Sequence, residues 1–148
     1  MPDERELSAE EFRELEGLLP QAYRLVGLDP GSAPSASAVV RAINDVIGRL
    51  RADPPGEERA IDLSLALGCL LGQQWCTGLG WEWRLVTVGG FEGYGVVPAD
   101  RRFAYFPMRD LHDLLRRKAS ELNVLLLFNM VAAGNVPPAS PHEYVRLG

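Results

Sequence analysis

The stretch that most constrains this chain is LGCLLGQQWCTGLGWEWRLVTV, residues 67–88. It sets a very apolar helical pattern directly before a strand pattern, with glycines at the junction. The segment from Ala60 to Cys76 reads as one buried helix. Ile61, Leu63, Leu65, Leu67, Leu70 and Leu71 spread apolar side chains around most of its circumference. Ala60, Ser64, Gly68 and Gly72 recur every four residues and stack along one face. Glycine inside a helix costs about 1 kcal/mol against alanine, so this row implies a close neighbour that needs the room. Gly78-Leu79-Gly80 ends the helix, because glycine enters a left-handed terminus without a Cβ clash. Trp81 to Val88 is rich in aromatic and β-branched residues, as strands are. Trp81, Trp83 and Leu85 fall on one face, and Glu82 and Arg84 open the other.

The pattern Leu67-Gly68, Leu71-Gly72, Trp75, then Leu79-Gly80-Trp81-Glu82-Trp83, resembles an uncharacterised bacterial domain family, a domain of unknown function. It continues through Pro98, Arg101-Arg102 and Phe106-Pro107-Met108. The family has no established activity, and some members are similar in size and acidity to immunity proteins of bacterial toxin systems. The resemblance runs over residues 58–130 and implies a bacterial origin and this fold class. It carries nothing to the N-terminal part.

Taken in order, the chain opens with a helix start. Ser8 can cap, Glu11 can reach back to it, and Leu7 and Phe12 are placed as a hydrophobic staple. Pro20 is expected to break or kink this helix, with Tyr23, Leu25 and Val26 resuming it. Asp29 to Pro34 is a loop by composition. Ser35 or Ser37 caps a second helix carrying Val39, Ile43, Val46, Ile47 and Leu50. Asp53-Pro54-Pro55-Gly56 ends it, and Glu57 and Glu58 enter the first turn of the buried helix, where negative charge suits the dipole. Beyond the Trp strand, residues 89–93 read as a flexible glycine turn. Short strands follow near 94–97 and 102–106, joined by a turn at Pro98-Ala99-Asp100-Arg101. Pro107 opens a helix with Leu111, Leu114 and Leu115 on one face. A break is expected near Ser120, then a very apolar helix from Leu122 to Ala133, ended by Gly134-Asn135. Residues 135–148 form an extended tail.

The expectation is therefore a single α+β domain over 1–148. It has a helical part at 1–56, a helix–meander–helix core at 57–134, and the tail. A three-stranded antiparallel sheet, about 81–88, 94–97 and 102–106, packs against four to six helices. A chain of 148 residues is long enough for one core. Its longest apolar runs fall short of a membrane span, and MPDERELSAEEF lacks the basic start and apolar stretch of a secretory signal. A cytoplasmic protein is expected.

Chemistry is hard to find. Cys69 and Cys76 are the only cysteines and lie about 10.5 Å apart along a helix axis, too far for a disulfide. A nucleophilic thiol would need one of them beside His112 or His142. Cys76 sits near a helix C-terminus, where the dipole opposes a thiolate. The two histidines and two cysteines match no zinc spacing. Gly89-Gly90, Gly93 and Gly95 precede no helix that could cradle phosphate. The residues thus indicate no catalytic set, no metal and no cofactor. Nucleic acid is disfavoured by a net charge of −5. Arg101, Arg102, Arg109, Arg116, Arg117 and Lys118 could form a basic patch or pair with carboxylates.

The charge distribution says more. Residues 1–16 hold seven acids against Arg5 and Arg13, a net of −5, equal to that of the whole chain. Such a helix is either a solvated face or a docking surface that steers in a basic partner. Glu6, Glu10, Glu11 and Glu14 are its candidate contacts. Glu82, Trp83 and Arg84 form a second candidate surface if the sheet's open face exposes a tryptophan, a residue favoured at interfaces. The leading expectation is a non-enzymatic protein-binding domain, such as an immunity protein that neutralises a basic toxin. Its partner is a protein rather than nucleic acid or membrane, and it acts as a monomer or dimer. A dimeric secretion chaperone or adaptor is a second reading. A small-molecule or minor enzymatic pocket near Trp75, Cys76 and His112 is a third.

Overall fold

The computed structural model describes residues 1–116 and 123–148. Its elements are β1 (Asp3–Arg5), α1 (Ala9–Val26), a 3-10 turn (Pro30–Ser32), α2 (Ala36–Ala52), α3 (Glu57–Leu79), β2 (Glu82–Val88), β3 (Phe91–Val97), β4 (Phe103–Tyr105), α4 (Pro107–Arg116), α5 (Val124–Ala132) and β5 (Val145–Leu147).

The longest helix, α3, sits at the centre, packed by α1, α2 and α4 and by the sheet. Its row of small residues is the reason. A Cβ placed on Gly68 would lie 2.7 Å from the Cα of Met108, so the backbone of α4 rests on that glycine. A Cβ on Gly72 would lie 2.2 Å from the ring of Trp83. Ala60 and Ser64 continue the row, both buried. Gly78 receives the Cβ of Ala36, where α2 begins. Gly80 closes the helix with φ +76°, and its N–H donates to the Cys76 carbonyl.

Trp75, fully buried on α3, is the hub of the core. It stacks on Tyr105 at 4.3 Å and meets Trp81 edge-on at 4.8 Å. Its indole Nε1–H is buried without a hydrogen-bond partner among the described residues, which costs about 1–3 kcal/mol. The aromatic packing outweighs this.

The α+β class holds, but the sheet is larger than the sequence indicates. Among the described residues it has five strands in the order β1-β2-β3-β4-β5, and it is mixed. The first three pairings are antiparallel, and β5 runs parallel to β4. Both added strands are three residues long. β1 is Asp-Glu-Arg, with no apolar alternation to mark it. β5 belongs to the proline-rich tail, which is tied down rather than loose: Tyr144 N–H donates to the Arg101 carbonyl and Val145 N–H to that of Arg102. The hairpin differs too. Only Gly89 and Gly90 form its turn, both at positive φ, which suits a two-residue connection between twisted strands. Gly93 and Gly95 lie within β3, beneath the rings of Phe91 and Phe106.

Pro20 does not end α1, which runs unbroken through it. The lost backbone bond is offset by the Ser8–Glu11 capping box, the left-handed Gly27 terminus and the burial of Leu15 and Ala22. The break expected near Ser120 lies outside the described residues, and the apolar helix after it is described from Val124.

One face of the sheet packs on the helices through Trp83, Val96, Phe103 and Tyr105. The other carries a smaller apolar cluster of Val86, Val97, Ala104, Phe106 and Tyr144. No helix among the described residues is long and apolar enough to cross a membrane.

The glycine row gives a direct prediction. Gly68→Ala should lower unfolding free energy in urea by about 1–3 kcal/mol, because overpacking against Met108 outweighs the helix-propensity gain. Gly48→Ala, where an added Cβ meets none of the described residues within 4 Å, should instead stabilise by about 0.5–1 kcal/mol. Equal effects at the two sites would remove the packing explanation.

Candidate functional site

The N-terminal acids divide into two groups. Glu4 and Glu11 hold the fold together. Glu4, on β1, accepts from Arg101 Nε at 2.6 Å, pairs with Arg84 Nε at 3.0 Å and accepts from the Tyr144 hydroxyl. Glu82 completes the cluster, 2.6 Å from Arg84 and 3.4 Å from Arg101. Two carboxylates and two guanidiniums thus alternate across β1, β2 and the turn after β3, with the tail's tyrosine joined to them. Arg101 and Tyr144 both adopt positive φ, 57° and 52°. Such left-handed backbone costs on the order of 1 kcal/mol for a non-glycine residue, and the bonds to Glu4 hold it in place.

Burial alone would raise the Glu4 pKa. The Arg101 and Tyr144 hydrogen bonds and the two nearby cations outweigh it and leave the carboxyl below its ordinary value. The Tyr144 hydroxyl is pushed up to about 12 by burial and by its bond to Glu4.

Glu11 does different work. Its carboxylate takes both Arg5 guanidinium nitrogens, at 2.8 and 3.0 Å, the Ser8 N–H at 2.8 Å and the Tyr94 hydroxyl at 3.0 Å. The Arg5 bonds hold its pKa far below the usual carboxylate range. It therefore joins β1, the start of α1 and β3.

Glu6, Glu10 and Glu14 are exposed and, among the described residues, make no ion pair. These three remain available to a partner. The second candidate surface is not open in the same way. Glu82 and Arg84 spend their charges on each other and on Glu4 and Arg101, and Trp83 is only 9% exposed, turned against Gly72. The sequence makes that surface conditional on a tryptophan exposed on the open face. Alternation places Trp83 opposite Glu82 and Arg84, and it is buried against the helices.

A recess of about 140 Å³ lies beside α1. Phe12, Leu15 and Leu19 wall it from α1, Cys69 and Cys76 from α3, and Trp83 from β2. Reading from sequence missed it. Phe12 was the available signal, assigned to a staple although it stays 39% exposed.

The thiols in that recess are poor nucleophiles. Burial pushes Cys69 up to about 12 and Cys76 up to about 11. The Cys69 thiol donates to the Leu15 carbonyl at 2.8 Å. Neither histidine approaches them. His112 bonds Glu57 at the first residue of α3, about 28 Å along the axis from Cys76 at 1.5 Å per residue. His142 is exposed in the tail, its N–H donating to the Asp100 carbonyl. Trp75 is wholly buried, so Trp75, Cys76 and His112 do not line one pocket. Among the described residues, no three His, Cys, Asp or Glu side chains converge as a metal site.

The basic residues pair with carboxylates: Arg101 with Glu4, Arg102 with Asp100, Arg109 loosely with Asp113, and Arg116 with Glu57. Arg109 and Arg146 also lie over the Phe91 ring. Arg117 and Lys118 fall outside the described residues. No protein-family model matches the chain, and neither a curated protein nor a solved structure matches it.

The Glu4 cluster predicts a pH effect of definite sign. A carboxyl lowered by folding contributes stability above its ordinary value near 4.5 and loses it as pH falls toward the folded value. Glu4→Gln should therefore cost about 1–3 kcal/mol at neutral pH and flatten the stability curve below pH 4.5. Asp110, raised chiefly by burial, acts in the opposite sense: its contribution is full below 3.8 and falls as pH rises. Parallel curves for Glu4→Gln and the parent protein would show that the cluster contributes no linked protonation.

Proposed function

We propose that this chain is a non-enzymatic protein-binding domain whose exposed N-terminal carboxylates attract a basic partner. One observation carries the reading. The N-terminal segment holds a net −5, its folding duties fall to Glu4 and Glu11, and Glu6, Glu10 and Glu14 are left exposed without ion pairs among the described residues. Exposed charge of one sign raises association rates with an oppositely charged partner and contributes little to folding. The immunity-protein form of this reading, with a basic toxin as partner in a bacterial cytoplasm, is supported by the resemblance of the Leu67-Gly68 to Trp83 pattern and by the chain's acidity.

The test is quantitative capture from the source organism with the full chain as bait, beside a variant carrying Glu6→Lys, Glu10→Lys and Glu14→Lys. The expected result is one stoichiometric basic protein, lost from the variant and from the parent at raised salt. Expressed alone, a toxin partner would inhibit growth. Equal capture by both baits would rule out the acidic surface.

A further inference from the structure

We infer that the recess between α1 and α3 seats one apolar side chain of a protein partner, on a segment that also presents a basic residue to Glu16. This rests on the protein-binding reading above and names its docking site.

Size argues for a single anchor. At about 140 Å³ the recess is smaller than the roughly 300–1,000 Å³ of ordinary small-molecule sites. Its wall argues for an apolar one. Phe12 stands 39% exposed in the wall, and the buried Leu15, Cys69 and Trp83 line the recess with it. Aromatic-edged pockets of this kind hold the anchors that dominate binding energy.

Charge argues for a basic segment. Among the described residues, Glu16 is the charged one in the lining, and no lysine or arginine is part of it. On α3 the row Cys76, Gln73, Cys69 continues at helical spacing to Leu65 and Asp62. Leu65 is 42% exposed and Asp62 is exposed beside it. The strip thus sets two exposed acids, Glu16 beside Cys69 and Asp62 about one turn beyond Leu65, along a largely apolar row, the complement of an amphipathic helix with lysine or arginine flanking its apolar row. A second copy of this chain fits less well, because its own acidic N-terminus would meet like charge.

The probe is a synthetic amphipathic helix of leucine and lysine, with two relatives: serine for leucine, and glutamate for lysine. Binding is followed by amide chemical shifts and by protection of Cys76 from alkylation in the full chain. The expected result is saturable binding of the leucine–lysine peptide, with shifts at Phe12, Gln73 and Cys76 and slower Cys76 alkylation. Phe12→Ser and Glu16→Lys, both at exposed positions, should each weaken it about tenfold. Equal binding of the serine peptide would reduce the interaction to charge alone and overturn the proposal. Equal binding of the glutamate peptide would overturn its basic half. Dimer formation by light scattering, with Cys76 already protected, would assign the recess to a second copy. The two readings fail separately. If Glu6, Glu10 and Glu14 reversal abolishes capture of the cellular partner while Phe12→Ser and Glu16→Lys leave it intact, the acidic surface stands and the recess does not.

Discussion

The architecture depends on two missing side chains. Gly68 and Gly72 let the backbone of α4 and the ring of Trp83 approach α3 closer than any Cβ allows. A helix with glycine at both positions gives up about 2 kcal/mol of intrinsic stability. What it gains is a three-way junction of helix, sheet and helix. Trp75 then stacks on Tyr105, and the strand that carries Trp83 is fixed in depth against the helix. The recess beside α1 follows from the same contact, because the Trp83 ring that abuts Gly72 also forms one of its walls.

A second constraint closes the sheet at its ends. β1 and β5 are each three residues long, too short to persist by ladder hydrogen bonds alone. Glu4 ties them in. Its carboxylate links β1 to Arg84 on β2, to Arg101 in the following turn and to Tyr144 just before β5. The acidity of the N-terminus is therefore not one property. Part of it is internal and consumed by arginines, and part faces solvent. Only the exposed part is free to contribute to recognition.

Much of this was legible from residue patterns, and the gaps have physical causes. The small-residue row on α3, the Ser8 capping box, the helix starting at Pro107 and the Trp strand all rest on local periodicity or capping chemistry. β1 and β5 were not legible, because their pairing depends on partners 80 and 42 residues away in the register, Arg5 with Leu85 and Phe103 with Val145, and three-residue strands are too short to carry an alternation signal. Pro20 misled because local rules cannot weigh a lost hydrogen bond against burial of Leu15 and Ala22. The candidate surface divided along the same line. Glu6, Glu10 and Glu14 are exposed as their polarity suggests, whereas Glu11 bonds Tyr94, Glu82 pairs with Arg101 and Arg84 with Glu4, partners that spacing does not reveal.

The most direct test of the central packing claim is a double-mutant cycle on Gly72 and Trp83, read as unfolding free energy in urea. If the Trp83 ring occupies the space that Gly72 leaves open, Gly72→Ala destabilises the parent protein but costs much less, or stabilises, in a Trp83→Leu background. The coupling should reach about 1–3 kcal/mol. Additive effects, with Gly72→Ala equally costly in both backgrounds, would contradict that contact as the basis of the architecture.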